Sequence, residues 1–259
     1  MFPMSKQNIL EQFRDKMREI IAQHRLNDAA VTVLAKSLTP EEAIGSPKRR
    51  DFPILQGKER VIEATVLGAR GQAFTDSASD FTSQLRDILE MPLITNRNRA
   101  VFVAAMNASL SYMGLVEGAI HCKDDAPEKC AAEIAESARR MRVRTVGLIG
   151  FNPAIADTLE REFGPGGVRI TDLNPENIGM YKFGVPLWNG QTQTSLLVRS
   201  SELVLVTGTT LVNGTFDEIR RLVEIEGKRL VVYGITAAGV CRLMDLERWC
   251  FQAQNGRRK

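Results

Sequence analysis

Leu203-Val-Leu-Val-Thr-Gly-Thr-Thr-Leu-Val-Asn-Gly-Thr215 opens as a run of branched apolar residues and closes as a turn rich in threonine, glycine and asparagine. Phe216-Asp-Glu-Ile-Arg-Arg-Leu-Val223 then repeats its apolar residues at helical spacing. A short apolar run bounded by turn residues reads as a strand buried on both faces. Where such a strand feeds a helix, the first backbone N–H groups of that helix stand unpaired above the strand end. The segment therefore predicts a parallel-sheet strand whose carboxyl end binds a polar or anionic ligand.

Working outward, the same alternation recurs. Arg144–Gly150 and Val168–Asp172 read as strands, with Ala154–Phe163 and Thr192–Ser200 as helices between them and Leu203. Arg229–Tyr233 and a last helix near Ala238–Asp245 follow. Val/Ile/Leu strands separated by helices predict an α/β Rossmann-like domain with a parallel sheet over residues 143–259. Residues 1–142 read differently. A surface helix from Ser5 to His24 precedes strands Ala30–Ala35 and Val61–Leu67, which flank a long polar loop containing Pro40, Gly45, Pro47 and Pro53. Gly68–Asp76 reads as a turn and short strand, Asp80–Met91 and Arg97–Met113 as helices, Leu115–Cys122 as a strand, and Pro127 to about Met141 as a helix. This part is an α+β domain, with the boundary near Arg142.

The 259 residues, 44% of them hydrophobic, suffice for proper cores. The net charge of +3 is the balance of 34 basic and 31 acidic residues scattered along the chain, with a local basic excess only at Arg257-Arg-Lys259. That argues against nucleic acid as partner. No apolar run approaches the roughly 20 residues of a membrane span, and the first residues lack the layout of a secretion signal, so we expect a cytoplasmic protein without a membrane partner. Symmetry statistics favour a homodimer. Cys122, Cys130, Cys241 and Cys250 form no C-x-x-C pair and are read as reduced thiols.

Several stretches carry candidate chemistry. Gly147-Leu-Ile-Gly-Phe-Asn-Pro153 is the first β–α turn, without the three-glycine phosphate fingerprint; Gly150 and Asn152 are its ligand candidates. Asp172 ends the next strand about 20 residues on, where a Rossmann-like domain places an acid for ribose hydroxyls, and Asn174 keeps that rim polar. Equally, Asp172 and Asn174 read as turn caps. Thr207, Gly208, Thr209, Thr210 and Asn213 supply close backbone approach and short uncharged donors and acceptors, although Asn213 or Thr215 could serve as an N-cap. His121-Cys-Lys-Asp-Asp-Ala-Pro-Glu-Lys-Cys130 gathers metal-ligand types, with His121, Cys122 and Cys130 the candidates, yet matches no zinc-finger spacing and reads as well as a helix start. Asn107 interrupts an apolar helix, so its amide ties down a loop or faces a polar cleft. Thr75, Asp76 and Glu59 are polar groups at strand ends.

Glu42–Glu59, Gly71-Gln-Ala-Phe-Thr-Asp76, Asn98–Asn107, His121-Cys-Lys-Asp124 and Val206–Thr215 together resemble the family described as heavy-metal chelation proteins. The resemblance implies an N-terminal domain similar to the capping domain of enolase, a Rossmann-like domain after it, and an active site in the cleft between them. It also implies a role in metal chelation, or in making or handling a small metal-chelating compound. By motif position it carries over Thr207, Gly208, Thr209, Thr210 and Asn213, with Thr75, Asp76 and Asn107 from the first domain. The sequence offers no acidic triad or paired lysines that can be assigned to enolase chemistry. The leading expectation is a protein that binds a small polar or anionic ligand, with or without a transition metal ion, in that cleft. One rival is a transferase using a nucleoside-bearing cofactor such as S-adenosylmethionine, with Asp172 on the ribose; another is a purely metal-binding protein. The sequence names no nucleophile or general base.

Overall fold

A computed structural model describes residues 8–26, 32–57 and 59–257. Ser5–Gln7 of the expected first helix, Ala30 and Val31 of the expected first strand, and Arg258–Lys259 of the basic end lie outside them. The first part of the chain contains α1 (Ile9–Gln23), β1 (Thr32–Leu38), α2 (Pro40–Ile44), β2 (Arg60–Val66), β3 (Ala69–Thr75), β4 (Phe81–Gln84), α3 (Leu85–Glu90), α4 (Asn96–Met113) and α5 (Ala126–Arg140). The second contains β5 (Val146–Ile149), α6 (Pro153–Phe163), β6 (Val168–Asp172), β7 (Tyr181–Lys182), β8 (Val185–Asn189), α7 (Thr194–Arg199), β9 (Leu203–Thr207), α8 (Thr209–Asn213), α9 (Phe216–Ile225), β10 (Arg229–Tyr233), α10 (Ala238–Leu243) and β11 (Arg248–Trp249). Among the described residues, no helix is long and apolar enough to cross a membrane.

β1–β4 form an antiparallel sheet in the order β3-β2-β1-β4. Leu67 and Gly68, both at positive φ, close the β2–β3 hairpin in two residues, the signature of a primed turn. Two expectations fail here. Phe81–Gln84, read as the start of a helix, instead pairs with β1 as an edge strand, because the open flank of β1 offers backbone partners that a lone helical turn lacks. Leu115–Cys122 is no strand. Its backbone bonds go instead to Gln72, through Gln72 N to Ala119 O and His121 N to Gln72 Oε1, and to Gln254, which bridges Ile120. The long polar loop also holds a one-turn helix, α2, fixed by a capping box between Thr39 and Glu42 with Pro40 at its first position.

β5–β11 form a seven-stranded sheet in the order β11-β10-β9-β5-β6-β8-β7, parallel except for β7. Numbering β5 as the first strand, the parallel six run 3-2-1-4-5-6, the order of a doubly wound nucleotide-binding sheet. β9 alternates its side chains between two cores. Val204 and Val206 join Phe13, Phe102 and Met106, whereas Leu203 and Leu205 join Ile134, Ile155 and Leu159. The first of these cores thus crosses position 142.

The helix α4 explains that continuity. Every residue from Ala100 to Ser111 is buried, so over that stretch the helix has no solvent face. Gly71 lets β3 press on it, since a Cβ there would collide with the Asn107–Ala108 backbone. Asn107 itself is fully buried. Its Nδ2 donates to Gln72 O at 3.0 Å and Thr236 O at 3.2 Å, and its Oδ1 accepts from Gly239 N at 2.8 Å. One amide therefore fastens α4 to β3 and to the start of α10.

Candidate functional site

β5 and β9 are neighbours whose connections depart in opposite directions, β5 through α6 to β6 and β9 through α9 to β10. The carboxyl ends of such a pair leave a crevice. A cavity of about 570 Å³ lies there, closed on the far side by Phe74, Thr75 and Asp76 at the end of β3, by His121, and by Ile44 and Phe52–Ile54 around the polar loop. That loop is fastened across by Arg49, which donates through its N–H to Glu128 Oε1 at 2.9 Å and pairs with Asp157 of α6.

Gly150, Asn152, Asp172, Asn174, Thr207, Gly208, Thr209, Asn213, Thr75 and Asp76 all line this cavity. Thr210 instead lines a second cavity beside it, and Asn107 lines neither. Gly150, at φ 89°, is required: a Cβ would sit 2.6 Å from Thr207 Cγ2 and hold the two strand ends apart.

Most of these side chains already serve the backbone. Asn152 Oδ1 accepts from Ala154 N and Ile155 N at 3.1 and 3.2 Å, so the α6 N-terminus is capped from within and those N–H groups are not free for a phosphate. Asp172 accepts from Phe151 N at 2.7 Å and from Asn174 N at 2.6 Å. Asn213 Oδ1 takes both the N–H and the hydroxyl of Thr215, at 3.1 and 2.7 Å. The Thr209–Asn213 stretch, read as a turn, is the one-turn helix α8.

The electrostatics oppose the expected anionic ligand. Glu59, Asp76, Asp172 and Glu176 are in the lining, and among the described residues no lysine or arginine is. Burial, and then the Asp172 carboxylate, push Glu59 up to about 7. Burial drives His121 down to about 4 and keeps it neutral, its ring edge-on to Phe74 at 5.2 Å with Nδ1 buried and unpartnered. Tyr233, also raised by burial, donates its hydroxyl to Gly150 O at 2.7 Å. Glu59, although singled out in the sequence as a strand-end acid, was not placed among the candidate ligands. Its place at the meeting of β2 with β6 needs the tertiary fold.

The expected metal ligands do not line one cavity. His121 faces the cavity, while Cys122 and Cys130 do not line it. Burial pushes Cys122 up to about 12, whereas a hydrogen bond with Cys250 and N–H groups of Gln252 and Phe251 hold Cys130 down to about 7. Among the described residues, no three His, Cys, Asp or Glu side chains are grouped so as to hold a metal ion. Adjacent residues of extended chain point to opposite sides, which separates His121 from Cys122.

A family model described as "Putative heavy-metal chelation", DUF364, matches residues 133–244. Over that segment, less than half of the chain, the sequence is similar to that family. A crystal structure of a DUF364 protein of unknown function from Pyrococcus horikoshii is similar at 15% identity with a TM-score of 0.53, covering 89% of this chain and 80% of that one. A second DUF364 structure, from Desulfitobacterium hafniense DCB-2, is 13% identical over 71% of this chain and 72% of that one, with a TM-score of 0.43. No curated protein matches. The DUF364 likeness to the Pyrococcus protein thus concerns the fold, an antiparallel sheet joined to a mostly parallel seven-stranded one.

Proposed function

We propose that this protein binds a small polar molecule that itself carries or chelates a metal ion, in the cavity above the β5 and β9 strand ends. The observation that supports this is the character of the lining. A space of about 570 Å³ sets acids, hydroxyls and amides among apolar neighbours such as Phe74, Phe151 and Leu173, and among the described residues no lysine or arginine lines it and no three metal-ligating side chains are grouped. Such a wall suits a neutral or cationic guest whose metal arrives with ligands of its own, and it fits the description of the DUF364 family. In this reading the chain divides near Arg142, the first sheet and its helices acting as an enolase-capping-like lid over the Rossmann-like rim. Thr75 and Asp76 would meet the guest from the lid, and Gly150, Asp172, Thr207 and Thr209 from the rim.

Calorimetric titration compares free nickel, cobalt, zinc and iron with the neutral nickel–bis-histidine complex and the anionic nickel–citrate complex. The neutral chelate should bind, and Thr209→Trp should abolish its binding, while citrate and free metal give no stoichiometric uptake. Stoichiometric binding of a free metal, undiminished by Thr209→Trp, would refute the proposal.

A further inference from the structure

A second cavity, of about 440 Å³, lies on the other flank of the β5 and β9 strand ends, against α7 and α9. Glu59, Gly150, Asp172, Thr207, Thr209 and Asn213 belong to the walls of both cavities. The rest of its polar lining is dominated by hydroxyls, from Thr171, Thr192, Thr194, Ser195, Thr210 and Thr215. Two of these are spent on backbone carbonyls, Thr194 Oγ1 on Gly190 O and Thr210 Oγ1 on Thr207 O, each at 2.6 Å.

Thr171 is different. It is fully buried, and its Oγ1 has no hydrogen-bond partner. Val168 and Ile170 of the same strand belong to the core with α5 and α6, so alternation turns Thr171 the other way, into the second cavity. A buried hydroxyl left without a partner marks a place where a guest completes the bonding. The charge of the wall narrows what that guest is. Glu59, Asp172 and Glu218 are acidic, and among the described residues no lysine or arginine lines the space, so a phosphate or carboxylate would be buried beside like charges. Arg199 reaches the Ser195 hydroxyl at 3.4 Å from outside the lining. Leu173, Ile219 and Leu222 add an apolar flank suited to the C–H face of a ring.

We propose that this second cavity binds a neutral sugar residue, its hydroxyls met by Thr171, the serine and threonine hydroxyls of α7, and Asp172. Each Asp172 oxygen already accepts one backbone N–H and keeps a lone pair for a diol. The sugar could come as a free saccharide or as the ribosyl part of a larger molecule, and the chemistry of the wall is the same for both. The site does not depend on the metal-chelate reading of the first cavity.

Saturation-transfer NMR on the full chain tests it with methyl β-D-ribofuranoside, adenosine and adenosine 5′-monophosphate. Transfer to ribose protons is expected for one or both of the neutral probes. A signal from the riboside identifies a free sugar as sufficient, and a signal from adenosine alone identifies a ribosyl group within a nucleoside. The monophosphate should bind about tenfold more weakly than the better neutral probe, equivalent to about 1.4 kcal/mol. Ser195→Trp should abolish the transfer; if that variant does not fold, Thr171→Val, which keeps the side-chain shape, should weaken it severalfold. No ribose transfer from any probe, transfer unchanged in the folded variants, or a monophosphate that binds as well as the neutral probes would overturn the assignment. Nickel-chelate binding that fails while ribose transfer persists would count against the first cavity alone.

Discussion

Replacing Glu59 with glutamine is expected to stabilise the protein at alkaline pH and to leave it nearly unchanged under acid conditions. Burial in the cavity wall and the neighbouring Asp172 carboxylate raise the Glu59 carboxyl from 4.5 to about 7. Because the folded state prefers the protonated acid, its contribution to stability is fully present below pH 4.5 and is lost as pH rises through about 7. At 1.36 kcal/mol per pH unit, the distance between those two values is worth at most about 3 kcal/mol at pH 8. Glutamine keeps the size of the side chain and carries no ionisable proton. Urea unfolding of the parent and Glu59→Gln at pH 5 and pH 8 should give a stability difference that opens with pH and favours the variant at the higher value. A difference that is flat across pH, or a variant less stable at pH 8, would refute both the burial of Glu59 and its coupling to Asp172.

Asn107→Leu should destabilise the fold by about 3 kcal/mol or more, since it strands Gly239 N and two carbonyls in a dry interior; thermal melting checks this. Gly71→Ala should cost about 1–3 kcal/mol, because the added methyl meets the α4 backbone rather than a side chain that could rotate away, and its melting temperature should fall without change in cysteine content or charge. Simultaneous replacement of His121, Cys122 and Cys130 by alanine should leave metal uptake per folded chain unchanged by elemental analysis, because these groups do not form a common site.

Much of the second sheet was legible because its strands are buried on both faces and therefore written as unbroken apolar runs. Val168–Asp172 and Arg229–Tyr233 match their expected bounds, and α4 differs by one residue. β8 escaped because Pro186 interrupts Val185–Asn189 and turn residues crowd its approach, and β7 and β11, at two residues each, leave no periodicity. Leu115–Cys122 failed for the opposite reason: it has a strand-like composition, but its hydrogen-bond partners are a glutamine side chain and the C-terminal segment. At the site, the glycine-threonine rim was legible from its turn chemistry, as was Asp172 from its distance after Gly150. That no cation lines it among the described residues was not, because scattered lysines and arginines say nothing about which of them fold away from a crevice. Glu59 carries an ordinary acid's signature in the sequence and becomes unusual only where β2 meets the end of β6.

The buried body of α4, Ala100–Ser111, has a consequence for how this molecule comes apart. A helix without a wet side cannot be left behind when its neighbours melt, so the early strands and the later sheet should be lost in one event and give a single endotherm on heating. Excision at residue 142 would strand a greasy cylinder on one fragment and its bare footprint on the other. Recombined fragments should therefore clasp one another, and each alone should clump.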